Sequence, residues 1–406
     1  MPLLVILFAF LLAASDSHSI ELEWGEVATY AIEHNQDLAA ARWQIAEAHA
    51  RYLQSGRLSN PELEGSFAPT LGGKEWTGGV GFTQQFPLTS RLQLEKDVSQ
   101  SEWAVAEKEI VDAERLLALN AETMAVRVWA LAQEMELKEK QVANSDEMAK
   151  LALRLAQRGE ASSLEAEQFN LEAQEISAEI MELSTAWNIT VGKLKIVLGL
   201  DPTNPIQIKG QLPPPQTSPT NGMDLAARPD LQASEIQIET AEKRVELAKA
   251  QRFEDLSIGI FAEFERSEDV PEGLENDTLI GIRCALQLPI WNANEGNIKA
   301  AEATLSHSKH ASNALALRIQ AEVNEAQREM TAAAHQHDRI LSDLLPAAAG
   351  LEDRFRSAYQ RGEASLTDVL RAREKRLELE AREIKKLEQY HLARIRVKYA
   401  FAQSSE

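Results

Sequence analysis

Two five-residue stretches, Arg158-Gly159-Glu160-Ala161-Ser162 and Arg361-Gly362-Glu363-Ala364-Ser365, are identical and lie 203 residues apart. Each closes one long helical run and opens another, so each is expected at the tip of a helical hairpin. Glycine reaches the positive φ that ends a helix, and Ser162 or Ser365 can cap the next one. The chain upstream repeats as well. Asn35-Gln36-Asp37-Leu38 lies over Arg228-Pro229-Asp230-Leu231 at an offset of 193, with Gln44-Ile45 over Gln237-Ile238 and Ala48 over Ala241. Gln85-Phe86-Pro87-Leu88 lies over Gln287-Leu288-Pro289-Ile290 at an offset of 202. The offset jumps only between Leu63 and Pro87, which places an insertion in the second copy. Insertions settle in exposed loops. The chain must build one supersecondary unit twice.

The copies read as 20–199 and 230–406, joined by 200–229, whose prolines (Pro202, Pro205, Pro213-Pro214-Pro215, Pro219) predict an irregular connector. A helix opens each copy. Over 24–53, Val27, Ala31, Leu38, Ala41, Ile45 and Ala48 recur at helical spacing, as do Ile238, Ala241, Val245 and Ala248 over 231–250. The period then drops to two. Leu256, Ile258, Ile260, Ala262 and Phe264 share a face, as do Ile280, Ile282, Cys284, Leu286, Leu288 and Ile290. This predicts a β-hairpin at about 255–290 with the acidic stretch 266–277 as its loop. A paler hairpin at about 61–87 alternates through Leu63, Gly65 and Phe67, then Trp76, Gly78, Val80, Phe82 and Phe86.

Long helices follow over 91–158 and 296–361, each roughly 100 Å if unbroken. In the first, Ile110, Leu117, Ala121, Met124, Val128, Leu131, Met135 and Val142 step near 3.5 residues. In the second, Val323, Ala326, Met330, Ala333, His337, Ile340, Leu344, Ala347, Leu351, Phe355 and Ala358 do the same. Runs this long predict coiled-coil packing, with a kink at Pro346. Return helices over 162–198 and 365–402 complete the copies. The expected class is α+β, mainly α: duplicated long-helix hairpins, each with a β-hairpin.

With 63 Asp and Glu against 42 Lys and Arg the net charge is −21. That argues against wrapping nucleic acid or lying flat on an anionic membrane. The apolar run 3–14 is shorter than the roughly 20 residues a spanning helix needs and ends in small residues, so 1–19 reads as a secretory signal peptide. No Lys or Arg precedes it. The strands match the ~9–11 residues of a membrane-spanning strand. Four strands with an apolar face leave edges that nothing else in the chain covers. In a membrane they are viable only in a closed barrel, and four are too few to close one, so several copies must contribute. Soluble hairpins packed on helices remain the alternative that alternation alone leaves open.

Helix, β-hairpin, long helix, glycine tip and return helix, all twice over, resemble the TolC-type outer membrane efflux proteins across the whole mature chain. The most specific segments are the tip 359–370 and the strand exits at Pro87-Leu88 and Pro289-Ile290. Arg228-Pro229-Asp230-Leu231 resembles especially the heavy-metal (cobalt–zinc–cadmium) branch. The resemblance implies a homotrimer with a twelve-stranded barrel in outer membrane lipid, continuing as a periplasmic α-helical barrel. It further implies a periplasmic adaptor and an inner-membrane pump of the resistance-nodulation-division type as partners. The only cysteine is Cys284, so the acylation cysteine of some members is missing and anchoring is expected to rest on the barrel. A periplasmic adaptor would carry one helical hairpin and a lipoyl-like domain, and a coiled-coil scaffold would lack outward apolar strands; these are the alternatives.

The chemistry-bearing residues are few. His307 with His310, and His335 with His337, lack acidic or cysteine partners at ligand spacing, so neither a metal site nor a cofactor is expected. No Ser-His-Asp arrangement, phosphate-binding glycine loop or zinc-protease motif marks an enzyme. Asp368 and Glu165 each lie six residues beyond a tip glycine. In resembling proteins an acidic residue at the position of Asp368 lines the periplasmic constriction. A second acid three positions on is replaced here by Arg371, and by Gln168 in the first copy. The expected pore constriction is Asp368, Glu165 and Arg371. The expected adaptor contacts are Arg158, Gly159, Arg361 and Gly362.

Overall fold

The computed structural model describes residues 20–72, 74–159, 162–216, 225–269 and 273–401; the expected signal peptide lies outside them. In chain order the elements are β1 (Ile20–Glu23), α1 (Val27–His34), α2 (Gln36–Gln54), β2 (Glu62–Pro69), β3 (Trp76–Phe86), α3 (Arg91–Gln157) and α4 (Ser163–Val197). Then come β4 (Ile206–Lys209), α5 (Pro229–Ala250), β5 (Leu256–Asp269), β6 (Gly273–Ala285), α6 (Glu295–Arg339), α7 (Leu345–Gln360) and α8 (Leu366–Ala400). Contacts divide the chain into two compact units: Met1–Ala39, Ala113–Met223 and Ala321–Glu406 form one, and Ala40–Asp112 with Asp224–Gln320 the other. Among the described residues no helix is long and apolar enough to cross a membrane.

In the first unit, two features depart from the sequence expectation. The connector is not wholly irregular: β4 pairs in parallel with β1, matching Ile20 to Ile206 and Leu22 to Ile208. The opening helix is also broken, at Asn35, whose ψ of 122° is extended. Its side chain accounts for the break. Oδ1 accepts from the Leu38 N–H at 2.8 Å, capping α2, and Nδ2 donates to the Val197 carbonyl at 2.9 Å. At the matching place in the second copy Arg228 has the same extended backbone (φ −64°, ψ 131°), with Pro229 opening α5. The 193-residue offset therefore marks a shared helix start.

Gly199 ends α4 against this break. Its φ is +68°, the Leu200 N–H bonds the Lys195 carbonyl at 2.8 Å, and a Cβ would lie 2.1 Å from the His34 carbonyl oxygen. Gly199→Ala is expected to destabilise this unit by about 3 kcal/mol, since left-handed strain and a backbone clash add. Denaturation of the detergent-solubilised protein reads the loss; an unchanged midpoint would refute it.

Leu22, Val27, Ala31, Ala121, Ala125, Leu194 and Leu198 form the core where β1, α1, α3 and α4 meet. The seam of α3 is built largely of small residues: Ala118, Ala121, Ala125, Ala130, Leu137, Asn144 and Met148 are buried. The larger Leu117, Met124, Val128, Leu131, Met135 and Val142, expected there, are only half-buried. Small side chains let helix backbones approach closely, and bulky ones flank the contact. In α6, Val323, Ala326, Ala333, His337 and Ile340 are buried as their spacing predicts. Beyond that the pattern slips by one residue: Ala348 and Glu352 are buried, while Leu344 and Leu351 stand exposed. The cause is a π turn over Ile340–Leu344, set immediately before Pro346. The wider turn accommodates a proline that has no N–H to give, where a kink was expected, and it inserts one residue into the repeat.

The second unit holds an antiparallel sheet of order β2-β3-β5-β6. Its register aligns Leu63, Phe82, Ile260 and Ile282 in one row and Gly65, Val80, Ala262 and Ile280 in the next. Leu63, Ile260, Ile280 and Ile282 are 60–79% exposed, so this apolar face has no cover within the chain. The acidic stretch expected as a loop is mostly strand: Arg266 pairs with Asn276 and Glu268 with Leu274. Alternating acids are compatible with pairing once a hairpin stands in water, and the longer second hairpin accounts for the insertion. β6 ends at Ala285, so Leu286, Leu288 and Ile290 lie beyond the strand, although all three are exposed.

Candidate functional site

Both tip glycines lie in the first unit with the same backbone: Gly159 and Gly362 each have φ +75°, and among the described residues a Cβ on either would meet nothing within 4 Å. At the second tip the Glu363 N–H closes onto the Ala358 carbonyl at 2.9 Å, and the Gly362 N–H onto Tyr359 at 3.0 Å. These bonds satisfy carbonyls that the end of α7 leaves orphaned. Arg158, Gly159, Arg361 and Gly362 are exposed, and Arg361 is held by Glu363 at 2.8 Å.

The caps of the return helices differ. Ser162 Oγ accepts from the Leu164 N–H at 3.2 Å, and Glu165 is exposed in the first turn of α4. At the second tip Ser365 and Asp368 form a capping box. The Asp368 carboxylate accepts from the Ser365 hydroxyl at 2.6 Å and its N–H at 3.0 Å, and Ser365 Oγ accepts from the Asp368 N–H. The Ser365 hydroxyl, then its N–H, and to a lesser degree the charge of Arg371 hold the Asp368 carboxyl below the usual aspartate range. Arg371 itself is exposed.

The start of α8 is fastened by residues that sequence reasoning missed. Arg373 pairs with Glu147 of α3 at 3.1 Å, and Asn144 Nδ2 donates to the Leu370 carbonyl at 3.3 Å. Glu352 of α7, almost fully buried, lies between Arg356 at 2.5 Å and Arg376 of α8 at 2.8 Å. Arg373 and Glu147 are 226 positions apart, so no local pattern could have paired them. Of the histidines, His337 is buried and its Nε2 lies 2.8 Å from Glu383, a packing role on the helix seam. His307, His310 and His335 are exposed. Among the described residues no three His, Cys, Asp or Glu side chains gather at a metal-sized site.

On the sheet, the face opposite the apolar rows carries Glu62, Glu64, Glu263, Glu265, Glu275 and Asp277, with Arg283 as the one cation among its described strand residues. Gly79, Gly81, Gly259 and Gly281 lie on this face too, together with Phe261 and Leu279. One side suits hydrocarbon and the other water.

A sequence model of the outer membrane efflux protein family matches residues 223–402, nearly all of the second copy. That part of the chain is similar to the family. The first copy repeats the same order of elements, and solved structures share the fold over nearly the full length. CusC is 18% identical with a TM-score of 0.73, covering 94% of this chain and 92% of its own. VceC from Vibrio cholerae is 17% identical with a TM-score of 0.74, covering 93% and 95%. MtrE from Neisseria gonorrhoeae, in its open state, is 15% identical with a TM-score of 0.70, covering 93% and 88%. No curated protein matches the sequence. VceC and MtrE are described as an outer membrane protein and an outer membrane channel, and this chain shares their fold.

Proposed function

We propose that three copies of this chain form the exit duct of a tripartite efflux system, fed by a periplasmic adaptor and an inner-membrane pump of the resistance-nodulation-division type. The observation that carries this reading is the open four-stranded sheet. Its outer strands β2 and β6 each have an unpaired edge, and its apolar face is bare. Lipid exposure demands closure, and three such sheets supply the twelve strands of a barrel. Heavy-metal cations are the proposed cargo: six carboxylates against one arginine on the water face, and a net charge of −21, favour cations along the path. Ion choice then belongs chiefly to the pump.

Asp368, Glu165 and Arg371 form the proposed periplasmic constriction, with the Arg373–Glu147 pair holding α8 against α3 in the closed state. Single-channel recording of the reconstituted trimer tests this. Asp368→Asn keeps an oxygen for the Ser365 N–H and removes the charge, so it is expected to weaken block by multivalent cations. Arg373→Ala is expected to raise open probability. The depressed Asp368 pKa fixes the sign of the pH dependence: the charge, and the cap it stabilises, persist above the folded pKa and are lost only as pH falls through it. Block should therefore survive acidification to about pH 4. Conduction identical to wild type from both variants would move the gate elsewhere.

A further inference from the structure

The acidic water face of the sheet is interrupted at one place, and the interruption is built. In the row Glu62–Thr83–Gly259–Arg283 and the next, Glu64–Gly81–Phe261–Gly281, the positions that are not charged or aromatic are glycine or threonine. The far edge of the Phe261 ring closes on Gly281: a Cβ there would lie 2.5 Å from the ring's Cζ. The Arg283 guanidinium carbon sits 5.0 Å from the Phe261 ring centroid, and its nitrogen is 4.0 Å from the Glu64 carboxylate. A ring brought against a glycine thus gives the guanidinium a platform, and Glu64 tethers it along the wall. Farther up, Glu263, Glu265 and Asp277 continue the acidic wall without a cation.

We propose that Arg283, stacked on Phe261 and tethered by Glu64, sets the charge selectivity of the barrel itself, as a second filter distinct from the periplasmic constriction. The inference rests on the duct reading, which places this face in the pore. Three copies put three guanidiniums at one height among acids. They lower the local accumulation of cations and give small anions a place to pass, so the barrel discriminates less than its acidic walls alone would. Removing the guanidinium leaves an unbroken acidic wall; removing Glu64 leaves the cation uncompensated.

The test is the reversal potential of reconstituted trimers in a potassium chloride gradient. Arg283→Gln is expected to raise the cation-to-anion permeability ratio severalfold, and Glu64→Gln to lower it. Arg283→Lys, which keeps the charge but not the flat stack, should fall between wild type and Arg283→Gln. Should Arg283→Gln fail to assemble, Glu64→Gln reads the same balance from the other side. A conducting wild type whose ratio neither variant changes overturns the selectivity role and leaves the duct intact. A wild type that forms no conducting trimer overturns the duct reading and this inference with it.

Discussion

Ile260→Arg or Ile282→Arg is expected to remove the assembled trimer from the outer membrane. The two residues face each other across β5 and β6 in a row with Leu63 and Phe82, and all four are exposed. An arginine on the lipid face near mid-bilayer costs about 2–4 kcal/mol, and each trimer would carry that cost three times. The control is Thr83→Arg, one residue along β3 from Phe82 and on the opposite face, where the register sets it beside Glu62. The same charge at nearly the same height should there be tolerated. Outer-membrane yield and heat-resistant trimer in detergent are the measurements. Normal trimer from the isoleucine variants, or equal loss from Thr83→Arg, would show that the two faces are assigned wrongly.

Gly362→Asn and Gly159→Asn together are expected to abolish efflux while leaving the trimer intact. Asparagine tolerates positive φ better than other L-residues, and among the described residues the space around both glycines is empty to 4 Å. Within this chain the substitution therefore strains little. A large functional loss must then come from a surface outside the chain that approaches the tip backbone closely, as an adaptor hairpin would. Site-specific cross-linking between tip and adaptor, alongside a drug or metal susceptibility assay, separates the cases. Retained cross-linking and efflux would reduce both glycines to helix terminators.

Much of this was legible because the repeat is written in the residues that make chain reversals and faces. Gly159 and Gly362 end their helices at positive φ, Ser162 and Ser365 cap the next ones, and the alternation around Ile260 and Ile282 gives the apolar face. What failed to show has specific causes. β1 and β4 are four residues long and pair only because the chain brings them together across 186 positions. Asn35 interrupts a pattern that is helical on both sides, and its reason lies at the Val197 carbonyl. The seam of α3 was legible only at Ile110 and Ala121, because other alanines, weak in any hydrophobic count, take the remaining close contacts. At the candidate site, tip glycines and acids could be found by motif. The Arg373–Glu147 pair and the buried Glu352 depend on packing between distant helices.

The π turn over Ile340–Leu344 bears on how far the duplication can be taken literally. Only the second shaft contains it; α3 runs unbroken to Gln157. One extra residue advances the helix face by about 100°, which is why Glu352 is buried and Leu351 is turned outward. The two arms thus end in the same five letters on shafts wound to different phases. In a trimer the ring of tips would be sixfold in spelling and threefold in orientation. A partner docking around that ring would meet two kinds of seat in alternation, and evolution could tune one kind without disturbing the other.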